Sequence, residues 1–237
     1  MGVSCDEFRR HGAFAEYVVV PEHIVFSFPE NLAFEHAALV EPVSVSIHAS
    51  YFTGIDLGDT AVVIGSGMIG LLVIQAARLA GCSRVLAVDL DDAKLEIAKQ
   101  LGADAVFNPQ QGDVVQQIME VTDGKGADAA FEVVGATPTV KTAIECTRRG
   151  GTVTLVGNLA PTVEMPLQAV VTRELRLQGS CASNGEYPQC IDFLTRGDIR
   201  VEPLITAKGR LEEGPDWFSR LYSGEAGAMK VLLLPNA

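Results

Sequence analysis

The run Ala61-Val-Val-Ile-Gly65-Ser-Gly67-Met-Ile-Gly70 limits what this chain can fold into more than any other stretch. Four apolar residues predict a short buried strand, and Leu71 to Ala80, mostly apolar, predicts the helix after the turn. In Gly65-x-Gly67-x-x-Gly70 the first glycine permits a tight turn and the second lets backbone approach a pyrophosphate. The third lets helix and strand pack closely. The helix start adds free N–H groups and a partial positive charge, which suit phosphate. Glycine-rich turns also arise by chance, so the next strand matters. Arg84-Val-Leu-Ala-Val-Asp89 ends on a carboxylate 19 residues past Gly70, where an acid would hold an adenosine ribose. The plainer reading of Asp89 is a strand-capping acid after an ordinary turn. The two features together favour a dinucleotide site.

Strand and helix alternate from there. Strand candidates begin near Ala61, Val85, Ala105, Asp128, Gly151 and Leu175, a spacing suited to short βα units. Helical patterning covers Leu71–Ala80, Asp92–Leu101, Asp113–Thr122 and Thr137–Arg148, with Asp92 as a candidate cap and Gly102 as a candidate C-terminal glycine. The expected fold class is α/β, a doubly wound six-stranded parallel sheet with helices on both faces. Ligands of such sheets bind beyond the carboxyl ends of strands, which gathers Gly65–Gly70, Asp89, Val134-Gly135 and Val156-Gly157 around one crevice.

Outside this repeat, residues 13–20 and 23–28 read as short strands, and Leu32 to Val40 as a helix interrupted at Glu41-Pro42. Val43 to Thr53 reads as the resumed helix. Beyond the sheet, Tyr187 to Gly197 reads as a helix, Val201 to Ile205 as extended, and Met229 to Leu234 as a closing strand. These outer pieces are expected to form a second lobe. The implied domains are 1–42 and 184–237 in that lobe, with 43–183 between them.

Composition narrows the function. The formal charge of −12 argues against nucleic acid or an anionic membrane as partner. The longest uncharged run, Ala61 to Ala77, is too short and too glycine-broken to span a bilayer. The N-terminus has no apolar signal segment. The five cysteines (Cys5, Cys82, Cys146, Cys181, Cys190) are scattered and lack any Cys-x-x-Cys, which implies reduced, buried thiols in a cytoplasmic protein.

Four segments in register then resemble a known family: Ala13-Phe-Ala-Glu-Tyr-Val-Val-Val-Pro, Ala37-Ala-Leu-Val-Glu-Pro-Val-Ser-Val-Ser-Ile-His-Ala, Val63-Ile-Gly-Ser-Gly-Met-Ile-Gly and Gly150-Gly-Thr-Val-Thr-Leu-Val-Gly. They resemble the zinc-dependent medium-chain dehydrogenases, nearest the polyol (sorbitol-type) branch. The resemblance implies NAD-dependent oxidation of a secondary alcohol, a small polyol or sugar alcohol, to a ketone. Zinc would hold the substrate oxygen while hydride passes to the nicotinamide. It also implies a Rossmann domain, a GroES-like catalytic lobe of which the chain ends are an incomplete remnant, and a homo-oligomer.

Residue by residue, the resemblance implies that Met68 and Ile69 amides meet the pyrophosphate and that Asp89 and Lys94 hold the ribose. It puts Val45, Val156 and Ser180 beside the nicotinamide and Lys230 near the pyrophosphate; read alone, the first three are core packing and Lys230 is a solvated lysine. No Arg follows Asp89 at Leu90, Asp91 or Asp92, so NAD is favoured over NADP. Glu41 matches a position that supplies a zinc ligand or holds the zinc-bound water; read alone it is a solvated helix-end acid.

The chain departs from the family in lacking the zinc-binding Cys, the Gly-His-Glu pair and the four-cysteine lobe. His11, His23, His36 and His48 form no ligand spacing and read as structural or exposed. A catalytic zinc wants three protein ligands, and one candidate is present. The expectation is a shortened chain without a complete catalytic set, binding NAD weakly and oxidising no polyol on its own. Two alternatives stand beside it: a non-catalytic NAD(H)-binding module, and a zinc-free quinone or enone reductase using NADPH, against which Asp89 and Glu41-Pro42 speak.

Overall fold

A computed structural model describes residues 12–224 and 227–235. His11 and Cys5 lie outside them. Seventeen helices and strands follow in order: α1 (Phe34–Ala37), α2 (Val40–Thr53), β1 (Thr60–Ile64), α3 (Met68–Ala80), β2 (Arg84–Val88), α4 (Asp92–Gln100), β3 (Ala105–Phe107), α5 (Val114–Val121), β4 (Ala127–Glu132), α6 (Thr137–Cys146), β5 (Thr147–Leu155), α7 (Leu167–Thr172), β6 (Arg176–Gly179), α8 (Tyr187–Arg196), β7 (Ile205–Arg210), α9 (Gly214–Tyr222) and β8 (Lys230–Leu234).

The six strands β1–β6 form one parallel sheet in the order β3-β2-β1-β4-β5-β6. This is the doubly wound order, and its direction reverses between β1 and β4, where a crevice opens. Alternation along β1 explains the two-sided burial. Ala61 and Val63 join Val85, Ala87 and Phe131 beneath α2 and α3. Val62 and Ile64 face the other way, with Leu86, Val88 and Ala130, beneath α5 and α6. Leu95 and Ala98 on α4 and its C-cap Leu101 recur every three residues and are all buried.

Several sequence expectations are corrected. Residues 13–28 form no strand; a 3-10 turn at Glu22–Ile24 interrupts them, and Tyr17 and Val19 are exposed. Their alternation is strand-like, but a strand exists only where a partner satisfies its backbone, and among the described residues none does. The helix break falls at Ala38–Leu39, not at Glu41-Pro42. Pro42 sits in the first turn of α2, where its missing N–H is not needed. Asp91, not Asp92, caps α4, its side chain accepting from Ala93 N–H at 2.9 Å. Asp92 instead accepts from Asn108 and Gln111. Val201–Ile205 contains a 3-10 turn, and the closing strand β8 pairs in parallel with β7 as a separate two-stranded sheet. Helices α7 and α9 were not anticipated. No helix among the described residues is long and apolar enough to cross a membrane.

Candidate cofactor site

Gly65 leaves β1 with φ +102°, and a Cβ there would lie 2.6 Å from Val134 Cγ2. A Cβ on Gly70 would meet Gly65 O at 1.8 Å, so helix α3 can cross the loop only without a side chain there. Gly67 differs. Its φ is −69° and an added Cβ would meet nothing within 4 Å. The protein itself has no steric need for that glycine; the space in front of it is open. Gly67 is also the N-cap of α3, with no side chain capping the helix, so the first-turn amides around Met68 and Ile69 face that same space.

Asp89 follows β2 and is half-buried. Its Oδ2 accepts from Ser66 N–H at 2.7 Å and its Oδ1 from Asp91 N–H at 3.0 Å, which fixes the carboxylate at the loop. A cleft of about 540 Å³ runs between them, lined by Gly65, Gly67, Asp89 and Lys94 and walled by Val88, Leu90, Pro109, Val133, Val134 and Leu159. Four expected residues, Gly65, Gly67, Asp89 and Lys94, thus share one place, with Gly70 packed beneath. Val156 follows β5, and Ser180 follows β6 with its N–H donating to Leu155 O at 2.9 Å. They stand at the carboxyl ends of the other half of the sheet, not in the cleft. Lys230 opens β8 in the separate small sheet, and neither it nor Val45 lines the cleft.

Sequence reasoning missed Glu132. This fully buried acid ends β4 and accepts from Val134 N–H at 3.0 Å and Gly135 N–H at 2.8 Å, shaping the loop that forms one cleft wall. Its signal was an acid closing an apolar strand, Ala129-Ala-Phe-Glu132. Two glycines then let the loops after β4 and β5 touch: a Cβ on Gly157 would lie 2.1 Å from Gly135 N.

A dinucleotide fits this set of groups: open helix amides, a fixed carboxylate, an apolar cleft. The Ser66 and Ser180 hydroxyl oxygens are buried without partners among the described residues, so polar groups remain to be satisfied. Zinc does not fit. No three His, Cys, Asp or Glu side chains among the described residues come together to hold a metal, and Glu41 stands exposed in the first turn of α2. Burial, followed by the nearby Glu41 carboxylate, raises the Tyr187 phenol above its usual range, while a hydrogen bond with Ser44 opposes them. Cys82, Cys146 and Cys190 are buried as expected, and burial pushes their thiols up to about 12, while Cys181, expected to be buried, is exposed.

Residues 69–196 match the family profile of the zinc-binding dehydrogenases. Sorbitol dehydrogenase of Bacillus subtilis (strain 168) is 33% identical over 227 residues, covering 95% of this chain and 64% of that protein. L-idonate 5-dehydrogenase of Vitis vinifera is 38% identical over 200 residues, covering 83% of this chain and 55% of that one. A candidate zinc-binding dehydrogenase of Sinorhizobium meliloti 1021, solved with NADP, superposes with a TM-score of 0.89 at 35% identity, covering 95% of this chain and 67% of that one. The chain therefore spans 55–64% of the length of these two curated relatives. With its sheet order, its glycine loop and these matches together, the chain belongs to the zinc-binding, medium-chain dehydrogenases, on their polyol branch.

Proposed function

We propose that this chain carries the cofactor-binding part of an NAD-dependent dehydrogenase that oxidises a secondary alcohol of the polyol class. The observation that carries the reading is the Asp89 carboxylate at the mouth of an apolar cleft beside the uncapped start of α3. The cleft walls take the flat adenine ring and exclude water. Asp89 accepts from the two ribose hydroxyls, and Lys94 lies within the same cleft. The diphosphate is met by the amides of Met68 and Ile69, reached across the bare Gly67. Val156 and Ser180 serve the nicotinamide half, where the unpartnered Ser180 hydroxyl is available to a polar group. When bound, the nicotinamide supplies the acceptor for hydride leaving the alcohol carbon.

NAD is favoured over NADP because a 2′-phosphate would approach Asp89, and residues 90–92 (Leu, Asp, Asp) bring no compensating cation. The polyol class follows the relatives, among them enzymes named for sorbitol and idonate. No zinc ligand set assembles among the described residues, and Glu41 is a single candidate ligand. Strand β6 ends the sheet with an open row of backbone groups, where the expected homo-oligomer would pair.

The test is an equilibrium titration with NADH and NADPH, read from the fluorescence of the reduced nicotinamide itself. The one tryptophan, Trp217, is a poor reporter, since it stacks against Arg220 on α9. NADH should bind, and NADPH should bind at least about ten-fold more weakly, the scale of one charged hydrogen bond. Asp89→Asn should narrow that ratio, although its amide oxygen can accept from only one of the two loop N–H groups. Absence of NADH binding sinks the reading, and NADH formation driven by sorbitol would overturn the expectation that this chain alone is inactive.

A further inference from the structure

We infer that His48 and Glu186 form a positioning pair that holds the segment between β6 and α8 in place at the nicotinamide end of the cofactor site. The inference rests on the dinucleotide reading above. His48 projects from α2 and Glu186 is the N-cap residue of α8, 138 positions apart in sequence. His48 Nδ1 lies 2.6 Å from Glu186 Oε1, and both side chains are buried. A carboxylate only accepts, so Nδ1 carries the proton. The second Glu186 oxygen accepts from Asn184 N–H. Burial raises the Glu186 pKa, but the hydrogen bonds from His48 and Asn184 outweigh it, and the group stays below its ordinary range, ionised at neutral pH.

The segment that this carboxylate anchors begins at Ser180, hydrogen-bonded to β5 through its backbone, and turns through Ala182 at φ +55° and Gly185 at φ +94°. An alanine in the left-handed region is held there by its surroundings, not by preference. A doubly wound sheet takes one mononucleotide on each half. The adenosine cleft occupies the β1–β2 side, so the nicotinamide half falls over the ends of β4, β5 and β6, where the Ser180 hydroxyl lies buried and unpartnered. The pair touches no cofactor atom. It acts through the 180–186 turn, by fixing where Ser180 stands.

The test compares two ligands that differ only at the nicotinamide: NADH and ADP-ribose. His48→Leu removes the donor, and His48→Asn replaces the ring with an amide N–H close to the Nδ1 position. His48→Leu should weaken NADH about ten-fold, as expected when a buried charged hydrogen bond is lost, and leave ADP-ribose within about two-fold. His48→Asn should restore most of the NADH affinity, although both variants lose the edge-to-face contact of the His48 ring with Phe52, whose centroids lie 4.7 Å apart. Equal weakening of both ligands would show a merely structural role, and unchanged NADH binding in His48→Leu would also overturn the inference. If the parent chain bound neither ligand, the dinucleotide reading would fail first and take this inference with it. If it bound ADP-ribose and NADH equally well, the reading would stand and the positioning role would fall.

Discussion

At the scale of single residues, three glycines that look alike in the sequence do unequal work. Gly65 and Gly70 are required by the protein, because their hydrogens point at Val134 and at the Gly65 carbonyl. Gly67 is required by nothing inside the chain; it keeps clear the path to the α3 amides. Folding and binding should therefore separate. Gly70→Ala is expected to lower the unfolding free energy by about 3 kcal/mol, the upper end for overpacking, because backbone on both sides must move. Gly67→Ala should melt within about 2 °C of the parent, the scale of a negligible stability change, yet bind NADH at least about ten-fold more weakly. Thermal melts and NADH titrations of both variants check this. A Gly67→Ala protein that bound normally would mean the diphosphate does not cross that position.

At the scale of elements, the sheet was legible because its strands and helices α3 to α6 carried their own periods, and β1 and β2 lead directly into residues with chemical meaning, Gly65 and Asp89. What was not legible depended on partners. The segment Ala13–Val20 alternates like a strand, yet a ladder needs a neighbour, which no local pattern reports. The tolerance of α2 for Pro42 depended on where that helix starts, one residue before Glu41. Glu132 is the clearest omission in the site, since an acid at 0% exposure makes sense only once the loop amides that surround it are known. Glu132→Gln keeps the shape but exchanges an acceptor-only group for one that also brings two donors into a space of donors. It should cost about 1–3 kcal/mol in urea unfolding and loosen the cleft wall at Val134. A midpoint equal to the parent's would mean that the loop is held by the Gly135–Gly157 contact alone.

At the scale of the whole molecule, the sheet is fastened at both ends by carboxylates placed differently from one another. The carboxyl end carries the groups proposed to hold the cofactor. At the amino end Asp128 accepts from Thr60 N–H at 2.8 Å and from Arg148 Nε at 2.5 Å, tying β1, β4 and β5 together. Burial pushes the Asp128 pKa up, but those two partners more than reverse the shift, and the group sits below its usual range. The unfolded chain then holds more protons than the folded one over the interval just below the ordinary carboxylate pKa of about 4. The stability from Asp128 is thus fully present above that value and lost as pH falls through the lower, folded-state pKa. Glu186, lowered for a similar reason at the opposite end, adds to the same acid limb. The chain should melt at a nearly constant temperature around neutral pH and lose stability below about pH 4. Asp128→Asn should melt lower than the parent at pH 7, and the two curves should converge as pH falls through the lowered folded-state pKa, where the parent's carboxylate also loses its charge. Melting curves that stayed parallel across that range would show that Asp128 contributes shape and not charge, because an amide of the same size would then be destabilising to the same extent at every pH.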